Sequence, residues 1–374
     1  MREILPALIE AANHGTQVAL ATVVRTSGSA PRPPGTALFI SRGGEVSGSI
    51  SGGCVEAAVF EEAMDAMSSG TQRLRRFGFT DADAIAVGLT CGGIIEVFVE
   101  LLSQQDVDLY RAVLADIKAD RTVAIATIIS HPDKECVGRK LVVRSDSIVG
   151  TSGLGRTDES IAKIARENIP TSESFTTDAQ SVTIGSDMQV FISIFATRPR
   201  LIIVGAIDLA STLAHVGAYL GYQTTLCDAR PLFTTRKRFP DVDELAVEWP
   251  NRYLEEQVRV GRIDRGTVLC VLSHDPKFDV PTLVYALTLD DEIRPRYIGA
   301  MGSRRTHRDR LQRLREAGVA DESLQRLRSP IGLDLKGHSA VETAISIVAF
   351  KNGGSGLPLS ETIGPLHAQP ASHC

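Results

Sequence analysis

Cysteine is scarce in this sequence, with six among 374 residues. They are too sparse for a disulfide scaffold, and no Cys-x-x-Cys or His-x-x-x-His spacing marks a closed zinc site, so free thiols are expected. An excess of charge of one sign is also missing. Against 45 Asp+Glu stand 40 Lys+Arg, and the formal net charge of -5 gives no general attraction for nucleic acid or anionic lipid. Binding of that kind would need a local patch. No apolar run is long enough to span a bilayer, and the start Met1-Arg2-Glu3-Ile4-Leu5-Pro6 lacks the apolar core and cleavage site of a signal peptide. A cytoplasmic protein with no membrane span and no nucleic-acid partner is the expectation.

What the chain has is length and ordinary polarity. At 374 residues, 43% hydrophobic and 23% charged, it exceeds what one hydrophobic core usually serves, so more than one domain is expected. Residues 3–13 read as a helix and Val18 to Val24 as a buried strand. The stretch Gly28-Ser29-Ala30-Pro31-Arg32-Pro33-Pro34-Gly35 must be a loop, and a hairpin through Ala37 to Ile40 and Glu45 to Ile50 leads to a helix expected from Val55 to Met67. Strands are expected near 94–101, 122–129, 139–143 and 189–196, with helices near 107–117 and 159–167. This mixed pattern defines an N-terminal α/β domain over residues 1–197, with Arg198-Pro199-Arg200 as a linker.

From Leu201 the pattern becomes strand, glycine turn, helix, strand, acid, running from Leu201-Ile202-Ile203-Val204-Gly205 to Asp228. That is the opening unit of a doubly wound, Rossmann-like parallel sheet, expected to hold five or six strands over residues 198–350, with a weakly ordered tail at 351–374. The nucleotide fingerprint is altered. Ile207 stands where the second glycine should let backbone approach a pyrophosphate, and Asp208 adds a negative charge beside the helix start. Asp228 stands at the ribose position or, alternatively, caps its own loop with Arg230.

Several residues are candidates for chemistry. Ser49-Ile50-Ser51-Gly52-Gly53-Cys54-Val55-Glu56 places a cysteine after paired glycines at a helix start, where backbone N–H groups and the helix dipole can stabilise a thiolate. The alternative is a small buried residue. Thr90-Cys91-Gly92-Gly93 echoes that motif and makes Cys91 a candidate second sulfur, while Cys136, Cys227, Cys270 and Cys374 read as core or tail residues. Three loops fall at strand carboxyl ends, where open α/β sheets bind ligands: Ser273-His274-Asp275-Pro276, Gly299-Ala300-Met301-Gly302-Ser303-Arg304-Arg305, and Ser329-Pro330-Ile331-Gly332-Leu333-Asp334. The second suits a phosphorylated ligand, or else Arg304 and Arg305 lie on a solvated face with Arg308 and Arg310. His274 and Asp275 suit acid/base work or a loop-fixing hydrogen bond, and Arg32 suits a phosphate or plain solvation.

Taken in order, the Gly28–Gly35 loop, the Ser51-Gly52-Gly53-Cys54-Val55-Glu56 turn, Leu272-Ser273-His274-Asp275, Tyr297-Ile298-Gly299-Ala300-Met301-Gly302-Ser303 and Pro330-Ile331-Gly332-Leu333-Asp334 with Glu342-Thr343-Ala344 resemble the XdhC/CoxI family over about residues 5–350. Members of that family are accessory proteins for molybdenum hydroxylases such as xanthine dehydrogenase and carbon monoxide dehydrogenase. The resemblance implies an insertion chaperone more than an enzyme. Its cargo would be molybdenum cofactor (molybdopterin), with Cys54 carried over as the thiol that handles it and faces the metal; by their chemistry and loop positions Gly52, Gly53, Glu56, Gly205, Asp228, His274, Asp275, Gly299, Gly302, Ser303, Arg304 and Asp334 are the further candidates for binding it. Expected partners are the apo-hydroxylase, a cysteine desulfurase and a second copy of the chain in a homo-oligomer, a dimer. Two rival readings are a Rossmann-fold NAD(P)-dependent oxidoreductase, against which Ile207 speaks, and an adaptor between a cysteine desulfurase and the target hydroxylase.

Overall fold

The structure, a computed structural model, describes residues 1–30, 32–53, 55–78, 93–169, 175–178 and 188–350. Cys54, Cys91, Cys374 and the tail at 351–374 lie outside the described residues. The chain divides into two compact units, one covering Met1–Thr197 and one beginning at Arg198.

The first unit repeats one plan twice. Its first half runs α1 (Leu5–Asn13), β1 (Val18–Ser27), β2 (Ala37–Ser41), β3 (Val46–Gly48), α2 (Glu56–Ser69), β4 (Arg73–Phe77) and β5 (Ile94–Leu101). Its second half runs α3 (Gln104–Lys118), β6 (Val123–Ser130), β7 (Lys140–Val143), β8 (Ile148–Gly150), α4 (Thr157–Asn168), β9 (Phe175–Asp178) and β10 (Gln189–Phe195). Each half makes a five-stranded sheet, ordered β3-β2-β1-β5-β4 and β8-β7-β6-β10-β9, and every pairing is antiparallel. The inner strands are mostly apolar and buried on both faces, with Thr22, Glu100, Thr127 and Ser193 as buried polar exceptions. In β1, Leu20 joins Leu5, Leu8, Val123 and Ile125 in a core common to both halves, while Ala19, Ala21 and Val23 pack with Val59, Ala63 and Ala66 of α2. In β6, Ala124, Ala126 and Ile128 pack with Ile161, Ala162 and Ala165 of α4 in the same way.

A buried ionic group ties the halves together. The Lys140 ammonium donates to Glu100 Oε2 at 2.6 Å, Asp106 Oδ1 at 3.0 Å and the Gly138 carbonyl at 2.8 Å. Burial pushes the Glu100 carboxyl up to about 7 against the pull of Lys140. Lys140 itself is held charged, since Glu100 and Asp106 outweigh the burial that would lower it.

The second unit is a doubly wound Rossmann-type α/β layer. It runs β11 (Arg200–Val204), α5 (Asp208–Tyr219), β12 (Gln223–Cys227), β13 (Glu244–Ala246), α6 (Pro250–Arg259), β14 (Val268–Val271), α7 (Pro276–Thr288), β15 (Tyr297–Ala300), α8 (Arg304–Glu316), α9 (Asp321–Leu324), β16 (Leu327–Arg328) and α10 (Ala340–Phe350). The six strands are parallel in the order β13-β12-β11-β14-β15-β16. Leu201 and Ile203 face α5 and α10, and Ile202 and Val204 face α6 and α7, which explains the unbroken apolar run of β11. Arg200 is not linker: it opens β11 and is buried, with its guanidinium on Tyr253 Oη, Gln257 Oε1 and Glu244 Oε2. Cys136, Cys227 and Cys270 are buried free thiols, and burial pushes each thiol pKa up. Among the described residues, no helix is long and apolar enough to cross a membrane.

Candidate functional site

The glycine-cysteine turn is held by a carboxylate. Glu56, the first residue of α2, turns back over residues 49–55. Its two oxygens accept from the backbone N–H groups of Ile50 (3.3 Å), Ser51 (3.0 Å), Gly52 (3.0 Å), Gly53 (2.9 Å) and Val55 (3.2 Å), and from the hydroxyls of Ser49 (2.9 Å) and Ser51. Burial alone would raise this carboxyl, but the hydrogen bonds from Ser51 and Ser49 outweigh it and bring it down to about 2. Five backbone N–H groups of the turn are thus engaged by Glu56, which places a negative charge at the start of α2. What the turn does offer is open backbone. Gly52 and Gly53 have φ of +82° and +121° and are exposed, and a Cβ at either would meet nothing within 4 Å. Conformation, not crowding, requires glycine there.

Three sequence motifs converge at this end of the first sheet. A Cβ on Gly93, the last residue of the Thr90–Gly93 segment, would lie 2.7 Å from Ala30 N and from Ser29 C. Only glycine permits that approach. Ala30 in turn packs on the cluster that contains Ile50, Val55 and Ile95, the residues flanking the turn and opening β5. Arg32, in the same loop as Ala30, is exposed.

In the second unit the strand order reverses direction between β11 and β14, the kind of place where open α/β sheets bind ligands. Gly205 has φ +110°, and a Cβ there would lie 2.7 Å from Ser273 N, so the β11 and β14 loops meet across this glycine. The turn is closed on itself. Gly205 N donates to Cys227 O, Ala206 N to Asp228 Oδ2 and Ile207 N to Gly205 O. Asp228 is buried and also takes Arg230 N, Nε and Nη2 at 2.9, 2.9 and 2.7 Å. Burial would raise its carboxyl; Arg230 and Ala206 N hold it low. The loop-capping alternative for Asp228 is thus the arrangement seen. Asp208 points to solvent, 3.4 Å from Arg238.

The remaining expected residues have separate tasks. Asp275 caps α7 by accepting Lys277 N, and it does not fix the exposed His274. Ser303 caps α8 by accepting Thr306 N, Gly302 has φ +149°, and a Cβ on Gly299 would press on Ile331 and Tyr297 at 2.6 Å. Asp334 pairs with Lys336 at 2.8 Å, and that ammonium holds its carboxyl low. Arg304, Arg305 and Arg308 are exposed, but Arg310 is not part of that solvated face. It is buried, donating to Asp279 Oδ2 (3.1 Å), Met301 O (2.8 Å) and Ser329 Oγ (2.9 Å), and so joins α7 with the β15 and β16 loops. Burial raises the Asp279 carboxyl against the pull of Ser273 and Arg310. Sequence reading passed over this pair, although a signal exists. Arg310 lies four residues before buried Leu314, and Asp279 lies three and four before buried Thr282 and Leu283, so each charge falls on the inward stripe of its helix. Among the described residues, no group of three or more His, Cys, Asp or Glu is placed to hold a metal ion.

Comparison with known proteins gives the same division. A family model described as the XdhC and CoxI family matches residues 11–78 and again 117–178, the two halves of the first unit, and one described as the XdhC Rossmann domain matches residues 201–350. The chain is 27% identical over 348 residues to the molybdenum cofactor insertion chaperone PaoD of Escherichia coli strain K12, covering 93% of this chain and 86% of that protein. It is 24% identical over 335 residues to a probable xanthine dehydrogenase subunit of Bacillus subtilis strain 168, covering 89% and 92%. A crystal structure described as a xanthine dehydrogenase from Bacillus halodurans shares the fold, with a TM-score of 0.69, 24% identity and 93% of each chain covered. The two family models match segments in both units of the structure, and the chain belongs to the XdhC and CoxI family.

Proposed function

We propose that this protein binds molybdenum cofactor as cargo and delivers it to an apo molybdenum hydroxylase, acting as an insertion chaperone without turning over a substrate of its own. The observation that carries the reading is the convergence of the Gly28–Gly35 loop, the Ser49–Glu56 turn and Gly93 at one end of the first sheet. Full-length likeness to a cofactor insertion chaperone supports it. In this reading the bare backbone at Gly52 and Gly53 lets the cargo come close, and the soft thiol of Cys54 faces the metal. Exposed Arg32 meets the cofactor phosphate as a fork donor. Glu56 holds the turn and does not touch cargo. A cysteine desulfurase as sulfide source and a dimeric assembly belong to the same proposal.

The closed Gly205 turn favours cargo handling over NAD(P) chemistry, because its N–H groups at 205–207 already have acceptors within the protein. The test is a titration of the full chain with molybdenum cofactor, NADH and NADPH, followed by transfer to an apo-hydroxylase. We expect saturable cofactor binding, and a loss of transfer of about tenfold or more in Cys54→Ser. Normal binding and transfer by that variant would remove the thiol from the mechanism. Tight NAD(P)H binding with no affinity for molybdenum cofactor would overturn the reading altogether.

A further inference from the structure

We infer that the edge of the second unit's sheet opposite the Gly205 turn holds a separate ligand site, a cavity shaped and charged for a small molecule carrying a diphosphate group. The cavity measures about 450 Å3 and is lined by Arg265, Asp291, Arg294, Arg296 and Arg326 around Pro295 and Ile298. Its place follows from the topology. Arg265, Arg296 and Arg326 each precede a strand, and Val268 pairs with Tyr297 and Ile298 with Leu327 in parallel, so these arginines gather at the amino-terminal ends of β14, β15 and β16. The turns that cap the other ends of these strands are remote from it.

The charge is unbalanced. Four arginines and one aspartate line the cavity, a formal excess of three positive charges, in a chain whose net charge is -5. Asp291 arranges three of the four: it pairs with Arg294 at 2.6 Å and Arg326 at 3.5 Å, and its backbone carbonyl accepts from Arg265 Nε at 3.0 Å. Arg296 has no carboxylate partner among the described residues. The acids that flank these turns do not offset the excess: Asp264 is engaged by Gly266 N and Thr267 Oγ1, and the exposed Asp290 and Glu292 do not line the cavity.

Like charges held around one cavity repel, and the repulsion is relieved when an anion enters among them. Guanidinium forks match phosphate oxygens two at a time, which a set of ammonium groups cannot do. An excess of three positive charges matches a diphosphate better than a single phosphate, and the volume falls in the range of about 300–1,000 Å3 typical of small-molecule sites. This site stands apart from the cargo reading, and neither depends on the other.

The test is calorimetric titration of the full chain with inorganic pyrophosphate, ADP, orthophosphate and sulfate, at low and at raised salt and with no molybdenum cofactor present. We expect one saturable site for pyrophosphate and ADP, weakened by salt, with orthophosphate and sulfate bound at least about tenfold more weakly. Arg296→Ala with Arg326→Ala, both exposed positions, should weaken pyrophosphate about tenfold or more with little change in melting temperature. Should that pair of changes disturb folding, Arg296→Lys with Arg326→Lys keeps the charge and removes the forks, and an affinity between the two is expected. Arg259→Ala, on an exposed helix face elsewhere, should bind as the parent does. Absence of saturable pyrophosphate binding, equal affinity in the alanine variant, or equal affinity for orthophosphate would each overturn the inference.

Discussion

The turns at Ser49–Glu56 and Thr151–Asp158 occupy one place in two copies of the same architecture and differ in the residues they present. Each follows a three-residue edge strand that ends in a left-handed glycine: Gly48 has φ +98° and Gly150 φ +91°, and a Cβ there would come within 2.3 Å of Ala37 O or 2.5 Å of Lys140 O. Each is clasped by an acid at the start of the next helix. Asp158 takes Thr151 Oγ1 at 2.7 Å, Ser152 N at 2.9 Å and the Ser152 hydroxyl. Glu56, one methylene longer, collects N–H groups along the whole turn as far as Gly53 and Val55. The difference separates what the fold needs from what only one copy carries. A clasped turn belongs to the fold, since both copies have it, whereas bare glycines followed by a cysteine occur in the first copy alone; the second has Leu154 and Arg156 in its loop.

The largest effect should come from cutting the tie between the copies. Lys140→Met leaves Glu100 and Asp106 without their buried cation and should lower stability by about 3–5 kcal/mol, read as a fall in the denaturant midpoint. An unchanged midpoint would mean that the halves are not coupled through this group. Next, Glu56→Gln should cost about 2 kcal/mol and Asp158→Asn about 1 kcal/mol, because the longer acid serves more donors. Equal losses would make the two clasps equivalent. The acid dependence sharpens the point. The Glu56 carboxyl falls from an ordinary 4.5 to about 2 in the folded chain, so its stabilisation is complete above pH 4.5 and is lost as pH falls toward 2. The gap between the parent and Glu56→Gln should close over that window. The smallest change in stability should come from Gly53→Ala and Gly155→Ala, at φ +121° and +60°, each losing about 1 kcal/mol through strain. Only Gly53→Ala should also impair retention of molybdenum cofactor, measured as molybdenum bound per chain.

Much of the fold was legible along the chain, for reasons that can be named. Val18 to Val24 and Leu201 to Val204 are apolar without alternation because both faces of those strands are covered, and helix stripes such as Val59, Ala63 and Ala66 repeat at the helical period. β4 was missed. Its sequence, Arg73-Leu74-Arg75-Arg76-Phe77, has no apolar run, and it holds the sheet edge while Arg73 and Arg75 pair with Glu62 of α2 at 3.1 and 2.8 Å. β8, β9 and β16 were missed because they are two to four residues long. In the site, the glycines of the turns could be read, but the acid that engages their N–H groups could not. A glutamate at a helix start looks the same whether it faces a ligand or folds back on its own turn.

The sequence by itself determined which segments are buried, where the parallel sheet begins, and which glycine and cysteine positions stand out, because burial and backbone freedom are written in local composition. Tertiary structure alone decided the rest: the partners of Glu56, Asp228 and Arg310, and the gathering of four arginines from three separate turns around one cavity. Those depend on which strands become neighbours, and strand pairing brings together charges that lie tens of residues apart in the chain.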